Sequence, residues 1–331
     1  MRALLPLLFF FLALTGYGQD LGYITVRKTM KLMGSRFEIT VVALNEELGY
    51  INIDEAVAEI TRIEKLISSW DPDSETSLIN KNAGIKPVKV SLELFKLIER
   101  SKQISELTDG AFDISYASMD EIWKFDGTMK QMPTEAEIQK SVARVGYQKI
   151  ILNEEERTVF LKQPGMKISF GAIGKGYAAD KAKAFLVSKQ VVGGIINAGG
   201  DLTTWGTEVS GKKWLIGIAN PLSKDKIFSW LPIVESSVAT SGNYEKFVIF
   251  KGKKYTHIID PRTGYPVSGI SSVSIFAKSA ELCDALATAV FILGKDAGIS
   301  LINQLGGTEV VLIDSDNKVL KSAGILFEHD P

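Results

Sequence analysis

The chain has 331 residues, 45% of them hydrophobic and 23% charged, which allows a sizeable core and excludes wholesale disorder. Lysine plus arginine number 38 against 39 acids, a formal net charge of −1, so nothing supports a nucleic-acid binder that works by neutralising phosphates. One cysteine (Cys283) and two histidines (His257 and His329) exclude an intrachain disulfide, a cysteine zinc cluster and a multi-histidine metal site. Any bound metal should be a hard ion held by oxygen ligands.

Met1-Arg2 precedes an apolar run over 3–14, broken only by Pro6, and small and polar residues follow through Asp20. The run is too short to span a bilayer and fits a cleaved export signal over 1–19; the competing reading is a buried amino-terminal strand or helix. No cysteine lies near the expected cleavage point, so no lipid anchor is expected there. The mature protein is expected to be soluble and exported, in the periplasm.

Strands are expected over 24–27 and 37–43, with Met33-Gly34-Ser35 between them. Val57, Ile60, Ile63 and Ile67 mark a helix over 54–68, ended by Ser69-Trp70-Asp71-Pro72-Asp73, because proline and short acidic side chains favour turns. A second helix covers 91–107, and the capping box Thr134-Glu135-Ala136-Glu137 opens a third that Gly146 closes. Strand signals cluster at 149–152, 158–162 and 167–170, before a glycine-rich turn and a helix to about Ser188. Further strands are read at 194–197, 214–218, 246–250, 255–259 and 272–277, the 246–250 and 255–259 strands joined through Gly252. Helices at 280–293 and 295–305 and a final strand pair complete the chain. Strands and helices mix without strict alternation, which favours an α+β fold. We read one catalytic domain over 20–331, with two lobes and mostly antiparallel sheets.

Several segments carry chemistry. Ser169-Phe170-Gly171-Ala172-Ile173-Gly174-Lys175-Gly176-Tyr177 runs from a strand into a helix through three glycines. Such a turn brings backbone close to a ligand and aims free N–H groups at an anion, with Lys175 adding a point charge. Its spacing matches neither a P-loop nor a Rossmann fingerprint, and a plain tight turn is the competing reading. Thr256-His257-Ile258-Ile259-Asp260-Pro261-Arg262-Thr263-Gly264 puts His257 on a strand before a loop, where it is either a general base or a hydrogen-bonded structural histidine. His329 sits near the carboxy terminus and receives no role.

In Glu281-Leu282-Cys283-Asp284-Ala285-Leu286-Ala287-Thr288, Asp284 and Thr288 share one helix face. With a backbone carbonyl they suit a small hard cation, or else the threonine only bonds back within its helix. Asn197-Ala198-Gly199-Gly200-Asp201 is a ligand approach or simply a turn, Thr108 to Ile114 places Phe112 between Asp109 and Asp113, and Trp70 in its turn can stack on a flat ring.

In this order, Met33-Gly34-Ser35, Ser69-Trp70 with 77–80, 109–113, 171–180, 197–201, 257–264 and 283–288 make the chain resemble the FAD:protein FMN transferase (ApbE) family across nearly all of its mature length. The resemblance implies an α+β fold that binds FAD with Mg²⁺ at the pyrophosphate. It also implies transfer of FMN to a threonine or serine hydroxyl of an exported or membrane acceptor protein, expected to be a membrane redox-complex subunit, with release of AMP. By the same resemblance, Met33, Trp70, Ala111, Phe112, Asp113, Lys175 and Ile258 contact FAD. Ala172 (through its carbonyl), Asp284 and Thr288 hold the metal, and His257 activates the acceptor hydroxyl. Ser169 stands where the family commonly has an acid, Ser35 where it has threonine, and Cys283 where it has alanine. The alternatives are a Mg²⁺-dependent FAD pyrophosphatase giving FMN and AMP, and a non-catalytic exported FAD-binding protein. No acceptor-like segment is seen in the chain itself, so self-modification is not expected.

Overall fold

The computed structural model describes residues 22–325 apart from 127, 221–222, 234, 244–246 and 251–252. The expected export signal, the Gly252 turn and His329 lie outside the described residues.

The first hairpin pairs β1 (Ile24–Leu32) with β2 (Ser35–Ala43). Its two-residue turn puts both Met33 and Gly34 at positive φ (48° and 69°), the sign that suits a tight hairpin to the twist of its strands. Helix α1 (Glu46–Ile67) begins well before the expected start, capped by Asn45, whose side chain accepts from the Leu48 N–H. Gly49 explains the difference. A Cβ there would lie 2.3 Å from Val26 Cγ2, so the first turns pack on β1 through a residue that leaves no apolar mark in the sequence.

Short α2 (Glu75–Lys81), capped by Ser74, was not anticipated, since seven residues hold too few turns for a periodic signal. β3 (Val88–Lys89) and α3 (Leu92–Leu107) follow. α4 (Glu135–Val142) carries the expected capping box, and β4 (Ile150–Asn153) pairs with β5 (Thr158–Leu161). The strand expected over 167–170 is absent from the sheets. Side chains and a turn take up its backbone instead: the Asn80 amide exchanges two hydrogen bonds with Ile168, the Ser118 hydroxyl does the same with Lys167, and the Ser169 N–H donates to the Ile114 carbonyl. Extended backbone therefore needs no partner strand here.

After the glycine turn come α5 (Gly174–Ser188), β6 (Gly194–Ala198), β7 (Asp201–Trp205), β8 (Trp214–Asn220), β9 (Ser223–Ile233), β10 (Ser237–Gly242), β11 (Phe247–Phe250) and β12 (Lys253–Thr256). β13 (Ile270–Ala277), α6 (Ala280–Leu293), α7 (Lys295–Asn303), β14 (Glu309–Asp314) and β15 (Val319–Lys321) finish the described chain. The main sheet has eight strands in the order β1-β2-β6-β7-β10-β13-β14-β15, and neighbours pair antiparallel. This is an α+β arrangement of antiparallel sheets with packed helices, as expected.

β7 and β10 went unread, and burial shows why. Every β7 residue is buried, including Thr203 and Thr204, so the apolar–polar alternation of a half-exposed strand never develops. Helices α1, α3 and α5 build an apolar core with β2 and β6, whereas α6 builds a second with β13 and β14. α5 and α6 pack against each other, and their contact positions the site.

Candidate active site

Close approach of two helices organises the site. A Cβ on Gly176 would fall 2.1 Å from the Ala280 carbonyl oxygen, so only glycine lets α5 lie this near the start of α6. Four residues on, Asp180 caps α6, accepting from Ser279 Oγ (2.8 Å), Ala280 N (3.0 Å) and Glu281 N (2.9 Å). These contacts fix α6 so that Asp284, one turn in, faces the first turn of α5, and its Oδ2 accepts from the Gly176 N–H at 3.1 Å. None of Gly171, Gly174 and Gly176 has a left-handed φ. The glycines serve close packing, and this N–H of the helix end, expected to face an external anion, is given to the protein's own carboxylate.

Lys175 lies between two acids. Its ammonium contacts Asp201 Oδ2 and is 3.9 Å from Asp284 Oδ2. Asp201 opens β7 directly after a turn in which Gly199 and Gly200 both have positive φ (69° and 107°). The Asn197 side chain steadies that turn by accepting from the Gly200 N–H. Asp201 and Asp284 are both buried. Burial raises the Asp284 pKa, against the pull of Lys175 and the Gly176 N–H. Burial, then the charge of Asp284, pushes Asp201 up to about 7 despite Lys175. Burial works against the Lys175 ammonium, but the two carboxylates outweigh it and hold its pKa above the ordinary lysine value. With both acids ionised, two carboxylates share one ammonium and the cluster carries an uncompensated negative charge, which favours a cation.

A cleft of about 1270 Å³ opens over this cluster, larger than most sites for compact ligands. Trp70, Ala111, Phe112, Asp113, Ala172, Lys175, His257, Ile258, Asp284 and Thr288 all line it. Met33 is not among the lining residues; it occupies the β1–β2 turn, packed against the core beside Ser35, which does line the cleft. Trp70 is 90% exposed, a large flat ring at the cleft with little packing of its own. Phe112 belongs to the core. Asp113 caps a 3₁₀ turn (Ile114–Ser118), accepting from the N–H groups of Ser115 and Tyr147, both at 2.7 Å. Burial raises the pKa of its carboxyl, opposed by those bonds.

β12 ends at Thr256, so exposed His257 sits just beyond the strand on which it was expected. The loop behind it is stiff. Asp260 pairs with Arg262 through two hydrogen bonds (2.9 and 2.8 Å), and the Gly264 carbonyl accepts from Trp123 Nε1 at 2.9 Å. Thr288 is one turn beyond Asp284, with Ser241 Oγ 3.4 Å from its hydroxyl. Sequence reasoning missed Thr240 and Ser241, which line the cleft from the unread β10, and named Asp201 without giving it a role. An acid directly after a Gly-Gly turn was the available signal.

The family model described as the ApbE family matches residues 33–312. This chain belongs to the ApbE family. It is 33% identical to an FAD:protein FMN transferase of Klebsiella pneumoniae over 277 residues, 82% of this chain and 86% of that one. It is 30% identical to an FAD:protein FMN transferase of Treponema pallidum over 289 residues, 83% of this chain and 80% of that one. Among solved structures, the ApbE protein of Thermotoga maritima superposes with a TM-score of 0.81 at 29% identity, covering 91% of this chain and 97% of that one. The flavin transferase ApbE of Vibrio cholerae shares the fold, with a TM-score of 0.79 at 23% identity over 91% of this chain and 98% of its own.

The oxygen donors of this ApbE-family site suit a hard divalent ion. Asp284 offers a carboxylate oxygen and Thr288 a hydroxyl on the same helix face, and both line the cleft that Ala172 also lines. Among the described residues no group of three or more His, Cys, Asp or Glu side chains is placed to hold a metal. Neutral oxygens, water or a ligand's phosphates would complete the coordination.

Proposed function

We propose that this chain transfers the FMN moiety of FAD to a threonine or serine hydroxyl of an acceptor protein, releases AMP, and requires Mg²⁺. The observation that carries the proposal is the buried cluster of Asp284, Lys175 and Asp201, two carboxylates around one ammonium, at a cleft large enough for a dinucleotide. The names of its Klebsiella pneumoniae and Treponema pallidum relatives support the same reaction.

Asp284, Thr288 and the Ala172 carbonyl would hold the divalent ion. When bound there, the ion supplies charge neutralisation of the pyrophosphate and of the leaving AMP. Lys175 adds a fixed positive charge beside the same phosphates, preorganised by its acidic neighbours. Trp70 stacks on a flat ring of the ligand, at small ordering cost because its turn already presents it to solvent. His257, exposed and next to a rigid loop, takes the proton from the acceptor hydroxyl, a weak nucleophile at neutral pH. The hydroxyl oxygen then bonds to the FMN-side phosphorus while the bond from that phosphorus to the AMP oxygen breaks, in line.

The amino-terminal pattern supports export to the periplasm, and the acceptor is then an exported or membrane protein, such as a redox-complex subunit, with an exposed threonine. Incubation with FAD, Mg²⁺ and a threonine-containing acceptor peptide tests the reaction by mass spectrometry. FMN covalently added to the peptide is expected. Release of free FMN alone would reassign the chain as a pyrophosphatase, and intact FAD would make it a carrier.

A further inference from the structure

Asp201 holds neither the metal nor the substrate in the reaction described above, yet it is buried, begins β7 beside the cleft and contacts Lys175. Its place is set by the Gly199-Gly200 turn, which delivers it to the first position of β7. Lys175 has two carboxylates within reach but is not shared equally, touching Asp201 and standing 3.9 Å from Asp284. Asp284 Oδ2 already accepts from the Gly176 N–H. A direct ion pair with Lys175 would leave this carboxylate less charge and fewer open directions for any other cation.

Without the charge of Asp201, Asp284 becomes the nearest carboxylate to the ammonium. The flexible lysine stem can close a gap of 3.9 Å by rotation alone. The cluster would then be neutral overall, and an incoming divalent ion would have to displace an ammonium from its own ligand.

We propose that Asp201 is a positioning residue, which takes up the Lys175 ammonium so that the Asp284 carboxylate stays open to a divalent cation. The assignment rests on the metal site of the proposed function, and it concerns metal affinity rather than chemistry at phosphorus.

Titration of the full chain with Mn²⁺ alone, without FAD, followed by electron paramagnetic resonance of the free ion, tests it. Asp201→Asn should bind Mn²⁺ about tenfold more weakly or worse, the equivalent of 1.4 kcal/mol. Asp201→Glu, which keeps the charge, should recover most of the affinity. Adding Lys175→Met to Asp201→Asn should also restore it, because no ammonium is left to occupy Asp284; a residue needed only for folding would not be rescued by removing its partner. Wild-type affinity in Asp201→Asn, or a double variant no better than the single one, would overturn the assignment alone. Undiminished Mn²⁺ binding by Asp284→Ala would instead remove the metal site itself, and the role of Asp201 with it.

Discussion

Replacing Gly176 with alanine sets two opposing effects against each other, and the structure decides the sign. Glycine within a helix is worse than alanine by about 1 kcal/mol, so propensity alone makes Gly176→Ala stabilising. The added Cβ, however, would meet the Ala280 carbonyl oxygen at 2.1 Å, its carbon at 2.5 Å and the Glu281 nitrogen at 2.9 Å. All three are backbone atoms, so no side chain can swing aside, and α5 and α6 would have to part by about 1 Å in a close-packed interior. Overpacking of this kind is destabilising by about 1–3 kcal/mol. Separation also stretches the bond from the Gly176 N–H to Asp284, and hydrogen bonds to charged groups contribute about 1.5–3 kcal/mol. The net expectation is a loss of about 2–5 kcal/mol after the propensity gain is deducted. Urea unfolding followed by circular dichroism measures it, with a lowered midpoint at unchanged slope as the expected result. Gly174→Ala is the control, since there the nearest atom is the flexible tip of Ile67, Cδ1 at 2.8 Å, and the loss should be clearly smaller. A Gly176→Ala variant as stable as the wild type would refute the view that backbone contact between these helices builds the site.

Other expectations address the chemistry and the surface. His257→Ala should bind FAD as the wild type does, by equilibrium dialysis, yet transfer FMN about 10²–10⁴-fold more slowly; full transfer would exclude His257 as the base. Trp70→Ala should leave stability within about 0.5 kcal/mol because the side chain is 90% exposed. It should nonetheless weaken FAD binding by roughly tenfold through lost stacking, and unchanged affinity would place the flavin or adenine elsewhere. Glu93 is held down to about 2, chiefly by its hydrogen bond with Arg62, against the opposing effect of burial and with help from Tyr177. A depressed carboxylate adds stability that is fully present above its unfolded pKa and is lost as pH falls through the folded one. The stability advantage of wild type over Glu93→Gln should therefore shrink between about pH 4.5 and pH 2. An advantage constant across that window in acid denaturation would show that Glu93 does not titrate with the pair.

Much of the architecture is legible in the chain itself. α6 has the bounds that the sequence indicates, Ala280–Leu293, because a long apolar run follows Ser279 and Gly294 ends it. The capping box of α4 formed as read, since Thr134 and Glu137 need only each other's backbone. Such signals are local and survive in sequence. α2 was too short to show a period, the start of α1 was masked by Gly49, and β7 and β10 lost their alternation to burial or to small polar residues. The extended run at 167–170 looks like a strand locally, but Asn80 and Ser118, distant in sequence, occupy its backbone groups.

The residue types of the site were equally visible: a lone upstream histidine, an acid and a hydroxyl one helical turn apart, and a lysine among glycines. Their relation was not. Lys175, Asp201 and Asp284 belong to α5, β7 and α6, and what each acid does depends on which of them the ammonium touches. Periodicity and capping act over a few residues and leave a pattern that can be read along the chain. The charge balance of a buried cluster depends instead on ångström-scale distances between remote segments, set here by one glycine that lets two helices meet.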